Sequence, residues 1–484
     1  MDTLDKLGIL AEAAKYDAAC TSSGSIRGPR KGKIGVATPA GCCHSFTPDG
    51  RCVTLLKVLM SNACTYDCAY CVNRRSASCK RATFTPRELA ELTVDFYKRN
   101  YIEGLFLSSG VLGTPDETSE RMIECLKILR EELRFNGYVH AKVIPGTSPE
   151  LIDQLGHLAD RLSSNLELPS SGSLTLLCPD KDAKSVTRPM SQIFHTREQE
   201  ALALSDGKTR GRARLSAAAP KGKGGKRLPD ADNASKRVLA SANAQVECAP
   251  PPLYANGSRL TLRQNPGISP SKRRFAPAGQ STQIIIGATP EDDNRILTLS
   301  NALYQRFDLK RVFFSAYIPM MDDERLPEVG TPVPLRREHR LYQADWLMRY
   351  YAFKPDELAT PEEPWLDLDI DPKLAWALRH IDLFPVEVMD APLELLLRVP
   401  GVGPVGARRI VAARTRARLT FEDLKRMRVT LKRARYFLSC SGQRDPSCPL
   451  DEGLIRQRVV SDAKQSAYNK ARRRAEQPEQ LTLF

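Results

Sequence analysis

The sequence predicts an α/β protein: six strand–helix repeats forming a parallel sheet curled into a full or partial barrel, with a small helical domain after it. Three observations carry this. Apolar runs of strand length alternate with helix-period segments from Val53 to Tyr317. The first run feeds a loop in which Cys64, Cys68 and Cys71 stand at C-x3-C-x2-C spacing. Most of the later runs end in small or polar residues, and parallel barrels gather their chemistry at the strand C-termini.

The elements follow in order. Residues 1–52 form an N-terminal extension that opens with a short amphipathic helix, Leu4 to Tyr16, and continues as a Ser/Gly/Pro/Lys loop. Cys20, Cys42, Cys43, His44 and Cys52 lie there, either packed as small apolar side chains or ligating a metal group. The barrel is read over 53–354. Val53–Met60 is its first strand. Thr85-Pro86 caps a helix running to Arg99, with Leu89, Leu92, Phe96 and Tyr97 on one face. Gly104–Gly110 is the second strand with its Ser108-Ser109-Gly110 end, and a helix follows from about Thr118 to Arg134. Tyr138–Ile144 is the third strand and contains Lys142; Ser148 caps a helix through Leu158; Arg161–Leu168 is the fourth, ending in Asn165 and Glu167. Gln283–Gly287 and Arg311–Tyr317 are the fifth and sixth, separated by a helix from Glu291 to Arg306. Residues 200–275, rich in Ala, Gly, Pro, Ser, Lys and Arg, read as a disordered basic insertion.

The cysteine count in the loop is informative. A closed structural metal site takes four protein ligands, whereas a cubane iron–sulfur cluster on three thiolates leaves one iron free for another ligand. Tyr70, just before the third cysteine, sets an aromatic ring beside it. The alternative is a zinc knuckle that recruits His44 or Cys79 as its fourth ligand.

Composition sets the surroundings. The 484 residues are 42% hydrophobic and 27% charged, enough for a large core and a further domain. No apolar run approaches the roughly 20 residues that span a bilayer, and the N-terminus lacks a basic secretory start, so the expectation is a cytoplasmic protein without membrane contact. Thirteen cysteines in such a chain point to metal or redox work rather than disulfides. The net charge of +15 is localised: residues 201–280 carry 15 Lys/Arg against 4 Asp/Glu and residues 391–484 carry 20 against 9, a surplus of 11 each, which leaves −7 for the remainder.

Beyond the barrel, Glu338 to Tyr351 reads as a helix and 355–390 as an acidic, proline-broken linker with a helix near Pro372 to His380. The helical domain, 391–445, centres on Gly401-Val402-Gly403 between two short helices, with Gly406, Arg408, Arg409, Arg414, Arg416 and Arg418 close behind. Glycines permit the tight turn, and the free N–H groups of such a hairpin and of the following helix start suit a phosphate. This resembles a helix-hairpin-helix, and the arginine density favours DNA as its partner. Cys440 and Cys448 either share a metal or are spare thiols, and 446–484 reads as a partly disordered tail.

The cysteine loop resembles the signature of the radical S-adenosylmethionine (SAM) enzymes. With the hairpin, the chain resembles the DNA modification or repair radical SAM proteins, a family associated with a uracil-DNA-glycosylase-like partner. The resemblance rests on Ala14–Asp17, Cys43–Phe46, Asp49–Cys52, Cys71–Arg75, Arg99–Gly110 and Gly287–Asp293, and it covers nearly all of the chain except 200–275. It implies a partial (β/α)6 TIM-like barrel in which Cys64, Cys68 and Cys71 hold a [4Fe–4S] cluster and SAM completes the fourth iron. Tyr70 would lie near the adenine. Ser108-Ser109-Gly110 occupies the place of a Gly-Gly-Glu segment that often holds the methionine amino group; here the glutamate is absent. Glu167, with Ser163 or Asn165, would take the ribose, and Gly287 would allow close backbone approach to the adenosyl group. The implied function is reductive cleavage of SAM to a 5′-deoxyadenosyl radical in DNA modification or repair, with an electron donor such as flavodoxin or ferredoxin. Gly401, Gly403, Gly406, Arg408 and Arg409 would contact DNA. Two alternatives stand beside it: a radical SAM enzyme that modifies RNA, and a non-catalytic zinc-stabilised DNA-binding protein. Cys20, Cys42, Cys43, Cys52, Cys440 and Cys448 remain candidates for a second cluster.

Overall fold

The computed structural model describes residues 1–14, 42–46, 52–216 and 273–476. Cys20, residues 217–272 of the basic insertion and the tail beyond 476 lie outside them. Two compact units result, Met1–Thr289 with Leu303–Thr331, and Pro290–Ala302 with Pro332–Phe484.

The first unit is built on a seven-stranded sheet in sequential order: β1 (Cys42–Phe46), β2 (Cys52–Leu59), β3 (Gly104–Ser108), β4 (Tyr138–Lys142), β5 (Arg161–Ser163), β6 (Gln280–Ile286) and β7 (Arg311–Ala316). From β2 to β7 every neighbouring pair is parallel, whereas β1 lies antiparallel on β2, with Cys43 opposite Leu55. Sequential order with helical crossovers is what right-handed βα repeats produce. Strand β1 falls where the sequence reads as loop. The sheet is curled: Leu59 at the end of β2 and Ser315 of β7, at opposite ends of the parallel array, line one cavity. Among the described strands β7 pairs with no strand but β6, so the barrel is partial.

Alternation along the strands explains the layers. Leu105 and Leu107 of β3, with Val139 and Ala141 of β4, join the outer core beneath the helices. Phe106 and His140 point the other way and meet edge to face at 4.5 Å, and His140 Nε2 lies 2.9 Å from the Ser163 hydroxyl. Burial, with the nearby Arg161 and Lys142 cations, holds His140 neutral, well below the ordinary histidine range. The helices of this unit are α1 (Thr3–Ala13), α2 (Pro86–Lys98), α3 (Pro115–Lys127), which runs into a π turn at Ile128–Glu132, α4 (Pro149–Leu158), α5 (Ser171–Leu177) and α6 (Ala183–Ser216), while α7 (Asp293–Phe307) belongs to it only from Leu303 and to the second unit up to Ala302. Thr85 and Thr114 form capping boxes with Glu88 and Glu117, each followed by proline, so the sequence itself sets where α2 and α3 start. Helix α6 continues to Ser216, so the first part of the segment expected to be disordered is helical.

The second unit holds α8 (Leu335–Tyr351), α9 (Pro355–Leu358), α10 (Pro372–Arg379), α11 (Leu393–Arg398), α12 (Pro404–Arg414), α13 (Phe421–Arg426), α14 (Leu431–Ala434) and α15 (Glu452–Glu476), with a two-stranded parallel pair, β8 (Val386–Glu387) and β9 (Leu438–Ser439). Residues 355–390, expected as a linker, carry α9, α10 and β8 and pack into this unit: Trp376 of α10 is buried, 4.4 Å from the His380 ring and 5.7 Å from Phe353. Among the described residues no helix is long and apolar enough to cross a membrane.

Candidate functional site

The C-terminal ends of the parallel strands surround a cavity of about 210 Å³. Cys64, Cys68, Tyr70 and Cys71 reach it from the loop after β2, and Ser108, Ser109 and Gly110 from the end of β3. Lys142 belongs to β4, Asn165 and Glu167 follow β5, Gln283 and Ile285 sit in β6, and Tyr317 follows β7. Gly287, expected to approach a ligand, adopts φ +83° after β6 but does not line the cavity, because the cavity wall is made by the preceding Gln283 and Ile285.

The shape of the cysteine loop is fixed by contacts that spare the thiols. The Arg81 guanidinium donates to four loop carbonyls: Asn62, Asn73 (2.8 Å), Arg74 (2.6 Å) and Ala77 (2.9 Å). Asn62 grips the far side through Lys80 O and the Ala82 N–H, both at 2.8 Å. The Ser108–Gly110 segment then buttresses Cys64: Gly110 N–H donates to Ser61 O at 2.7 Å, and Thr65 N–H to Val111 O at 2.8 Å. A Cβ at Gly110 would lie 3.1 Å from the Cys64 Cβ, so this close approach suits glycine. Two backbone donors face the sulfurs, Val111 N–H on Cys64 at 3.3 Å and Asn73 N–H on Cys71 at 3.4 Å.

The electrostatics are uneven. Cys68 is drawn down to about 7, first by a hydrogen bond from Cys178 and also by the Lys181 cation, which together outweigh its burial. Cys178 moves up as the partner that keeps its proton. Burial pushes Cys71 up to about 12. Burial works against charge on Lys181, yet the negative charge nearby, Cys68 first and then Glu167, holds it above the ordinary lysine range. Neither Cys178 nor Lys181 stands out in the sequence, since both follow α5, far from the cysteine motif. Cys79, a candidate fourth ligand, lies outside the cavity lining. Among the described residues no three His, Cys, Asp or Glu side chains converge on a single metal ion. Cys64, Cys68 and Cys71 nonetheless share one cavity wall, and their chemistry, three thiols without a fourth protein ligand, is that of an incomplete ligand set.

Glu167 has φ +65°, which is costly for a residue with a side chain. It is held there by a bridge to β6: its N–H donates to Gln283 O at 2.9 Å and its carbonyl accepts from Ile285 N–H at 2.6 Å. Asn165 Nδ2 lies 3.2 Å from the Glu167 carboxylate and 3.3 Å from the Gln283 side-chain oxygen. The Tyr317 hydroxyl is buried without a hydrogen-bond partner, and the Tyr70 hydroxyl, beside the Cys178 thiol, has no well-formed bond. Such orphaned groups on a cavity wall suit a polar ligand.

In the second unit, α11 and α12 are joined by the hairpin Gly401-Val402-Gly403. Gly401 has φ +88°, and a Cβ there would fall 2.6 Å from Thr430 O, so only glycine fits. Gly403 caps α12 and Pro404 opens it. Gly406 is buried against Val429, where it serves helix packing rather than the surface. Arg408 and Arg409 are exposed. Arg409, Arg416 and Arg426 rim a shallow cleft floored by Ala412, Ala413 and Met427, with Asp423 at its side. Arg414 instead donates to Val388 O and Ala391 O at 3.2 and 2.6 Å, bracing the approach to α11. Cys440 and Cys448 are buried free thiols.

No family model matches the chain, and no curated protein matches it. Among solved structures it is similar to a HydG described as a maturase of the [FeFe]-hydrogenase, at 12% identity and a TM-score of 0.34 over 60% of this chain and 48% of that one. It is likewise similar to the FeFe-hydrogenase maturase HydG of Carboxydothermus hydrogenoformans, at 10% identity and a TM-score of 0.35 over 60% and 50%. The chain thus spans about half the length of these structures.

Proposed function

We propose that the chain is a radical SAM iron–sulfur enzyme that acts on DNA. The observation that carries this is the placement of Cys64, Cys68 and Cys71 on one cavity at the strand C-termini of a partial parallel barrel. The residues present fit the group: three thiols, two N–H donors aimed at sulfur, and unsatisfied tyrosine hydroxyls for a further polar ligand. When bound, a [4Fe–4S] cluster with SAM supplies one-electron cleavage of a sulfonium and hydrogen abstraction from a substrate. The chain does the rest. Cys64, Cys68 and Cys71 hold the cluster. In the Ser108–Gly110 segment Ser108 O already accepts from Met60 N–H and Gly110 O from the Ser109 hydroxyl, so the Ser109 carbonyl would stand in where a carboxylate is missing, and Glu167 with Asn165 would hold the ribose of SAM. The apolar wall of Val143, Ile144 and Ile285 excludes water from the reacting centre.

DNA is the preferred substrate because the exposed Arg408 and Arg409 follow a glycine hairpin whose helix start suits a phosphate. A low-potential donor such as flavodoxin or ferredoxin would supply the electron, a uracil-DNA-glycosylase-like protein would be a partner, and the cytoplasm is the proposed compartment. Anaerobic reconstitution followed by turnover with dithionite, SAM and duplex DNA tests the reading. It expects brown protein with about four irons per chain, 5′-deoxyadenosine as a product, and label transfer from deuterated DNA. Colourless protein containing zinc overturns it, and label transfer from transfer RNA alone moves the substrate to RNA.

A further inference from the structure

We propose that Lys181 is a fixed cation that sets the reduction potential of the iron–sulfur group held by Cys64, Cys68 and Cys71, an inference that rests on the radical SAM reading above. The segment Leu177–Lys181 is stitched to the cysteine loop rather than merely close to it. Ala69 N–H donates to Leu177 O at 2.8 Å, and Asp67 N–H to the Asp180 carboxylate at 2.8 Å. Lys181 N–H returns to Cys178 O at 3.0 Å, which turns the chain so that Lys181 faces the cavity shared by the three cysteines. Cys178 packs in the same apolar cluster as Cys68, Ala69, Leu174 and Leu177, which locks the turn. The Lys181 ammonium makes no salt bridge with a described carboxylate, and Cys64, Cys68, Cys71 and Glu167 line the same cavity as it does. Lys181 thus brings a cation to the same cavity wall as the three cysteines, with no salt bridge to a described carboxylate.

The consequence follows from charge. One electron passes from a low-potential one-electron donor into the cluster; the donor is oxidised, the cluster is reduced, and no bond or proton moves. The reduced cluster carries one more negative charge, so a cation held beside its thiolates stabilises the reduced form, just as net charge and hydrogen bonds to sulfur tune such clusters generally. Glu167, on the same cavity, acts in the opposite direction. Lys181 is thus a positioning residue that works through the thiolates.

The test is an anaerobic redox titration with dithionite, followed by electron paramagnetic resonance without SAM, on wild type and on Lys181→Met, Lys181→Gln, Lys181→Arg, Glu167→Gln and Cys178→Ala. Iron, sulfide and visible absorption are measured first. Lys181→Met and Lys181→Gln are expected to be about tenfold less reduced at a given potential, a midpoint lowered by about 59 mV for one electron. Lys181→Arg should restore the wild-type value, and Glu167→Gln should shift it upward. Loaded Met and Gln variants with an unchanged midpoint overturn the proposal. So does loss of cluster in both while Lys181→Arg loads, since the cation would then serve assembly. Loss of iron in Cys178→Ala also overturns it, because Cys178 would be a fourth ligand. Wild-type protein that binds no cluster fails the underlying reading instead.

Discussion

Lys373 lies beneath the Gly401–Gly403 hairpin, and replacing it with methionine should change how stability depends on pH. Its side chain is buried, donates to Val402 O at 2.6 Å and stands 4.5 Å from the Tyr351 ring centre. Burial lowers its ammonium to about 7, with Arg398 adding to the effect and Asp371 opposing it. The ordinary lysine value is 10.5. Between these values the unfolded chain keeps a proton that the folded chain has shed, so stability rises with pH in that window; below it both forms are charged and the full cost of burial remains. The gap corresponds to about 5 kcal/mol in all, and about 2 kcal/mol of it is recovered between pH 7 and 9. Lys373→Met removes the titrating group, so the stability of wild type minus that of the variant should rise by about 2 kcal/mol over that range. Urea unfolding followed by tryptophan fluorescence isolates the relevant unit, because Trp346, Trp365 and Trp376, the three tryptophans of the chain, all belong to it. Taking the difference between proteins cancels the titration of other groups. A difference that stays flat from pH 7 to 9 refutes the reasoning.

Replacing Cys64, Cys68 or Cys71 with alanine should reduce bound iron to background after anaerobic reconstitution, whereas Cys79→Ala should retain it; metal analysis decides. Gly401→Ala should destabilise the second unit by more than about 1 kcal/mol, because its φ is positive and Thr430 O occupies the space, and the same fluorescence melts measure it. Arg409→Ala and Arg416→Ala should each weaken duplex binding across sequences and reduce the slope of log affinity against log salt by about 1. Arg414→Ala should act on stability instead, since its guanidinium is engaged with Val388 O and Ala391 O.

Much of the barrel was legible because its strands are apolar runs and Thr85-Pro86 is a local start signal that survives folding unchanged, whereas the helix read from about Thr118 begins at Pro115 behind the unread Thr114 cap. The cysteine loop was equally local. What escaped depends on distant parts of the chain. Strand β1 is five residues long and pairs antiparallel on an edge, so Cys42–Phe46 offers no periodicity to read. Lys181 and Cys178 gain their meaning only when α5 folds back on the cysteine loop, and Lys373 only beneath the hairpin. Gly406 and Arg414 read as surface residues by composition, yet packing against Val429 and bonding to Val388 and Ala391 take them inward. Glu167 reads as one acid at a strand end; its left-handed backbone, fixed by β6, cannot be inferred from its neighbours in sequence.

The Arg81 clasp has a consequence for how the proposed cluster would be lost and restored. Its guanidinium fastens the carbonyls of Asn62, Asn73, Arg74 and Ala77, and not one of these contacts involves a thiol. The backbone of the loop is therefore braced at four points without the use of a thiol. If the proposed cluster is bound there, its loss would leave these four contacts in place, and reconstitution would meet a loop whose backbone is already braced.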